Sequence, residues 1–167
     1  YGISVDVINN CADAGLIKVV PMKEIEKTEY HSMDFKELSK TFNSRYISQG
    51  VLWKMDNIFQ LSINLYDSKR DSVIWSDRWQ ENWNALTHIK DKLCDGLLKT
   101  LNINSKTSNK VGTFSTEAYK FYLEGVFTWD KREEENDILK SRELFNKAIK
   151  LDNDFLEARA MLAWTFM

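Results

Sequence analysis

Cysteine, histidine and proline are scarce in this chain, with two, two and one among 167 residues. His31 and His88 have no partner at metal-ligand spacing, which argues against a zinc site. Cys11 and Cys94 sit far apart on the apolar faces of expected helices and read as small buried thiols. A disulfide between them stays open only for an oxidising compartment such as the periplasm. No apolar run reaches the ~20 residues of a membrane span. Basic residues form no block: 23 Lys and Arg are interleaved with 25 Asp and Glu, for a net charge of −2. That argues against a nucleic-acid surface, which needs clustered cations to displace counterions. There is no phosphate-cradling glycine loop, no metal-binding carboxylate pair and no nucleophile constellation. No enzyme activity, cofactor or metal is therefore expected of this chain. It lacks a leader pattern, begins with Tyr1, and has helix signals at both ends, as a piece of a longer protein would.

What is present is apolar and aromatic. Hydrophobic residues make up 43% and aromatics 13%, enough for a packed core. The organising stretch is 45–80. There Phe59, Leu61, Ile63 and Leu65 alternate strictly with Gln60, Ser62 and Asn64, the period of a strand with one wet face. Tyr46–Lys54 and Val73–Trp79 flank it as further strands. The turns are Met55-Asp56-Asn57 and Asp67–Asp71, so the three form an antiparallel meander.

Helices surround this meander. Ile3, Val7 and Cys11 recur at helical spacing over 3–13, with Gly15 as the stop. Leu16–Val20, closed by Pro21, reads as a buried strand. A helix leading into such a strand implies a parallel unit and hence a mixed sheet. Residues 22–32 read as a connection with one helical turn. Asp34-x-x-Glu37 is a capping box opening a helix over 34–43. Leu86, Ile89, Leu93, Leu97 and Leu101 mark a long helix over 83–101. The Asn-, Ser- and Lys-rich segment 104–114 reads as a linker. Beyond it the pattern is helical only, over 115–130, 137–150 and from Asp154 onward. The expected fold class is α/β or α+β followed by an all-α arm, divided as 1–103, 104–114 and 115–167.

The arm resembles tetratricopeptide repeats. Phe145, Ala148 and Leu151 match that repeat's second helix, and Leu162-Ala163 the Leu-Gly pair of the next first helix. Gly125 is the small residue one repeat earlier. The spacing from Gly125 to Ala163 exceeds the usual ~34-residue period by four, an excess that fits the charged turn at 131–136. Asn153 and Ser141 replace the usual proline and alanine. The resemblance implies stacked helix pairs, with more repeats following in the parent protein. By the family's register Tyr119, Tyr122, Val126 and Trp129, then Glu157, Ala160 and Trp164, would line a groove for a peptide or partner helix. The other reading is that several of these pack on neighbouring helices.

The first hundred residues resemble the TolB amino-terminal-like α/β domain. The likeness rests on Gly2-Ile3, Leu16–Val20, Tyr46–Val51, Asn64–Asp67 and Val73–Trp79, and the element order agrees throughout. The family's apolar first strand is missing here, which leaves a sheet edge open to dimerisation or to a strand from another chain. In bacteria this domain often precedes tetratricopeptide repeats in class III adenylate/guanylate cyclases and in CadC-like transcriptional regulators. The resemblance thus implies a regulatory, protein-binding module of a cytoplasmic cyclase, whose catalytic domain lies outside this chain. The alternatives are a periplasmic sensory domain and a TolB- or FlgO-like envelope protein. Two smaller readings complete the expectations. The acidic pairs Asp67/Asp71 and Asp77/Glu81 read as solvated turns. Trp75, Trp79 and Trp83 read as packing against the last helix of the α/β part, with a ligand platform as the sharper alternative.

Overall fold

Strict alternation at 59–65 has its expected consequence: Phe59, Leu61, Ile63 and Leu65 are all buried on one face of a central strand. The computed structural model describes residues 2–13, 17–103, 113 and 115–167. Its sheet has three antiparallel strands in the order β1 (Tyr46–Met55), β2 (Ile58–Asp67) and β3 (Ser72–Asn82). Leu61 lies opposite Leu52 and Trp79, and Leu65 opposite Ser48 and Trp75. The turn residues Asp56 and Asp71 take positive φ, at 52° and 53°, a conformation that Asp tolerates through local hydrogen bonding.

The buried face of β2 is covered by α4 (Leu86–Thr100), which follows a short 3-10 turn at Trp83–Ala85. Leu86, Ile89, Leu93, Cys94, Leu97 and Leu98 are its buried stripe. Gly96 explains how closely helix and sheet approach. A Cβ there would lie 2.6 Å from Cζ2 of Trp75, so the missing side chain is the space the indole fills. Trp75 and Trp79 therefore pack, as expected, between the sheet and this helix. On the opposite face α3 (Phe35–Thr41) covers one end, where Phe35 stacks on Tyr66 at 5.0 Å. The capping box at its start is complete: Glu37 N–H donates to Asp34 Oδ1 at 2.8 Å, and Asp34 N–H to Glu37 Oε2 at 2.9 Å.

α1 (Gly2–Asp13) forms where helical periodicity predicts it, and α2 (Met22–Glu26) is the expected helical turn. The strand expected at Leu16–Val20 is a correction. Residues 17–20 belong to no strand among the described residues. The sheet is accordingly antiparallel, not mixed. Ile17 and Val19 pack against the core through their side chains, so the β-branched run is partly buried without a ladder. Leu16, Gly15 and most of the linker, 104–112 and 114, lie outside the described residues.

The second half is α5 (Thr116–Asp130), α6 (Glu135–Leu151) and α7 (Leu156–Trp164). A short turn folds α6 back along α5. Their approach depends on Gly125, where a Cβ would lie 2.7 Å from Cε1 of the fully buried Phe145. Ala148, Phe155 and Ala158 complete the seam, each 2% exposed or less. Small residues facing large ones is how helices reach interior packing density. The buried residues of β2, α4, α5, α6 and α7, with Cys11 of α1, form one continuous core.

The β2–β3 turn corrects a second expectation. Asp67 is not solvated: it is 1% exposed. Arg45 donates to it from Nε at 3.1 Å and Nη2 at 2.8 Å, and Lys69 N–H donates at 2.9 Å. Asp71 accepts from Tyr66 Oη at 2.6 Å and pairs with Lys36, also at 2.6 Å. The Arg45 hydrogen bonds hold the Asp67 carboxyl down at about 2, against an ordinary 3.8. Asp71 is lowered first by Lys36, then by Tyr66. A carboxyl whose pKa is depressed on folding adds stability above its unfolded pKa, and that stability fades as pH falls through the folded one. Urea midpoints should therefore be flat down to about pH 4 and fall between about pH 4 and about pH 2. In Asp67→Asn the starting stability is lower and the fall shallower; an unchanged acid limb would show that this turn does not anchor the sheet.

Candidate functional site

Tyr119 and Tyr122 stand three apart on α5, so both rings face one side of the helix. That side is buried: Tyr119 is 2%, Tyr122 6% and Val126 5% exposed. α1 packs against α4 and α5 and brings Asp6 under the Tyr119 hydroxyl, while Phe145 of α6 and Phe155, just before α7, cover Tyr122. Tyr119 Oη donates to Asp6 Oδ2 at 2.7 Å. Lys90 of α4 approaches the same oxygen at 3.5 Å, with its ammonium 5.0 Å from the Tyr119 ring centroid. Burial raises the Tyr119 hydroxyl well above its ordinary value, and the Asp6 charge and hydrogen bond add to this. The phenol is therefore held protonated, as a donor. Tyr122 stacks beside Tyr119 at 6.2 Å and meets Phe155 at 4.9 Å. Burial raises its hydroxyl too.

Three further contacts fasten α5 to the first half. Thr116 Oγ1 donates to the Asn84 carbonyl at 2.6 Å. Gly2 sits against the Leu123 side chain, which a Cβ at Gly2 would meet at 2.7 Å. Lys131 Nζ reaches both Glu26 oxygens at 2.8 Å. The arm is thus fastened along its whole first helix.

The seven residues expected to line a groove divide accordingly. Tyr119, Tyr122 and Val126 are core residues and present nothing to a partner; this corrects the expectation of an open aromatic groove along α5. Trp129 is half-buried, with the Arg132 guanidinium 3.8 Å over its ring. Glu157 is half-buried, and its Oε2 is buried with no hydrogen-bond partner among the described residues. Burial raises its carboxyl pKa. Ala160 is exposed, and Trp164 is 61% exposed. Sequence periodicity did not single out the other exposed apolar residues of α6, α7 and the end of the chain: Leu139, Leu156, Phe166 and Met167. The signal for them is the excess of large apolar positions on α6 and α7 over what α5 can cover.

Among the described residues no group of three or more His, Cys, Asp or Glu side chains could hold a metal. Cys11 and Cys94 are free buried thiols, raised by burial, Cys94 to about 12, so neither is a thiolate nucleophile near neutral pH. A shallow cleft of about 470 Å³ is lined by Gly2, Leu123, Phe127 and Leu144 together with the polar side chains of Glu124, Thr128 and Lys140. No helix among the described residues is long and apolar enough to cross a membrane. No protein-family model and no curated protein matches the chain.

Removing the Tyr119 hydroxyl tests the Asp6 contact. Tyr119→Phe removes the shortest contact of the Asp6 carboxylate and leaves it the longer Lys90 contact and the neighbouring Tyr122 hydroxyl. It should cost about 2 kcal/mol in urea unfolding, the usual range for a hydrogen bond to a charged group. A loss below about 0.5 kcal/mol would mean that the hydroxyl contributes little.

Proposed function

We propose that this chain is a non-catalytic regulatory and protein-interaction module of a bacterial signalling protein, the C-terminal part of an adenylate/guanylate cyclase. In this reading 115–167 are tetratricopeptide repeats, the α/β part is TolB-like, and the module works in the cytoplasm. The observation that carries it is the α5–α6–α7 arrangement. Successive helices fold back on one another, and Gly125 lies against Phe145 with Ala148 buried beside them, three of the residues that carry the repeat resemblance, while Ala163, the fourth small position, is exposed. A stack of this kind ends in an uncovered apolar face unless another unit follows, and Leu156 and Trp164 of the last helix are both more than half exposed.

The partner surface in this reading is the open part of the expected groove: Trp129, Ala160 and Trp164. Exposed Trp beside apolar neighbours is the commonest anchor of protein interfaces. The second reading, a periplasmic sensory domain of a CadC-like regulator, draws on the same repeat-bearing resemblance. The domain encoded upstream separates the two, a cyclase domain in one case and a winged helix with one membrane span in the other.

Two outcomes follow. Purified chain incubated with ATP or GTP and a divalent cation makes no cAMP or cGMP; detection of either would contradict a non-catalytic module. Trp129→Ala lowers binding of the parent protein's partner by at least ~10-fold while stability changes by about 1 kcal/mol or less. A thermal melt showing collapse of the arm would instead assign Trp129 to packing.

A further inference from the structure

The two edges of the sheet are built differently. β3 carries Asp77, Arg78 and Glu81, and a register shift opposite Leu65/Tyr66 leaves Ile74 unpaired. Charges and irregular pairing are the ordinary means by which an edge is kept from adding strands. β1 has neither. Its register with β2 runs unbroken from Tyr46↔Asp67 to Met55↔Ile58. It contains no proline, and no strand among the described residues pairs with its other side. Its single charge, Lys54, is turned onto the Trp83 ring at 4.6 Å. Its apolar side chains are bare on both faces: Leu52 on the α4 side at 40% exposure, and Val51, Trp53 and Met55 on the other at 48%, 69% and 78%. Ile58, the first residue of β2, extends that second strip at 48%.

We propose that β1 is a self-association edge, pairing antiparallel with β1 of a second copy to join two three-stranded sheets into one of six. The backbone groups of an edge strand accept only another extended strand, and the side chains fit this same sequence reversed. About a two-fold axis at Leu52, Trp53 falls opposite Val51 of the second copy, Lys54 opposite Gly50 and Met55 opposite Gln49. Large residues meet small ones, and the single charge never meets itself, as an isologous interface requires. The pairing leaves α7 and the Trp164 face untouched. Strand pairing alone makes a small interface, so the dimer is reversible and concentration-dependent.

Sedimentation and light scattering on the 167-residue chain test this. Between low and high micromolar concentration the mass should rise from 19.6 kDa toward twice that value. Alternate β1 amides should become protected from hydrogen exchange over the same range. Leu52→Lys puts like charges at the axis and should weaken association at least ~10-fold. Trp53→Lys gives a second, more exposed test should the first variant fold poorly. Val73→Lys, an equally bare apolar position on β3, should leave the dimer intact. A chain that stays at 19.6 kDa throughout overturns the proposal and assigns the edge to a strand of other origin. A dimer that survives both β1 substitutions in folded protein, or that protects α7 and not β1, overturns it as well.

Discussion

A single buried carboxylate decides how this chain is assembled. Asp6 sits on a helix caught between α4 and α5, and its Oδ2 takes the Tyr119 hydroxyl at 2.7 Å and the Lys90 ammonium at 3.5 Å. A charge removed from water is costly unless hydrogen-bonded and paired. It therefore penalises any arrangement in which α1, α4 and α5 do not meet. Apolar packing alone is less exacting, because it is non-directional. The carboxylate gives the junction one geometry, and Thr116, Leu123 and Lys131 extend it along α5. The arm is a continuation of the core, not an appendage on a linker.

Much of this was legible in the residues. The period-two pattern of 59–65 located the central strand and its buried face, and Asp34 with Glu37 located a helix start to the residue. Helical spacing located the helices of the second half, and the repeat resemblance paired two of them through Gly125, Phe145 and Ala148. The failures also have physical reasons. The run Ile17-Lys18-Val19-Val20 has strand composition, but β propensity records side-chain fit and burial, which these residues obtain without pairing. Asp67 looked like a solvated turn residue because its partner, Arg45, lies 22 positions upstream. Asp6 was invisible for the same reason, since Tyr119 is 113 positions away. Tyr119, Tyr122 and Val126 were placed in a groove because a repeat register describes α5 alone; α1 comes from the other half of the chain and covers it.

Covering α5 moves the available surface. Among the exposed apolar positions, two groups stand out, the β1 edge and Trp164 of α7. The first offers unpaired backbone groups flanked by apolar side chains and so selects an extended strand. The second offers side chains alone and so selects a helix or another apolar face. Both surfaces are of the kind that joins one chain to another.

The central claim is that the Asp6 junction makes both halves of the chain one cooperative unit. Native-state hydrogen exchange in low denaturant tests it most directly. The slowest amides of β2, α4, α5 and α6 should open with one common free energy, equal to that of global unfolding. Amides of α5 and α6 opening together at a distinctly lower free energy, while β2 and α4 stay protected, would contradict it.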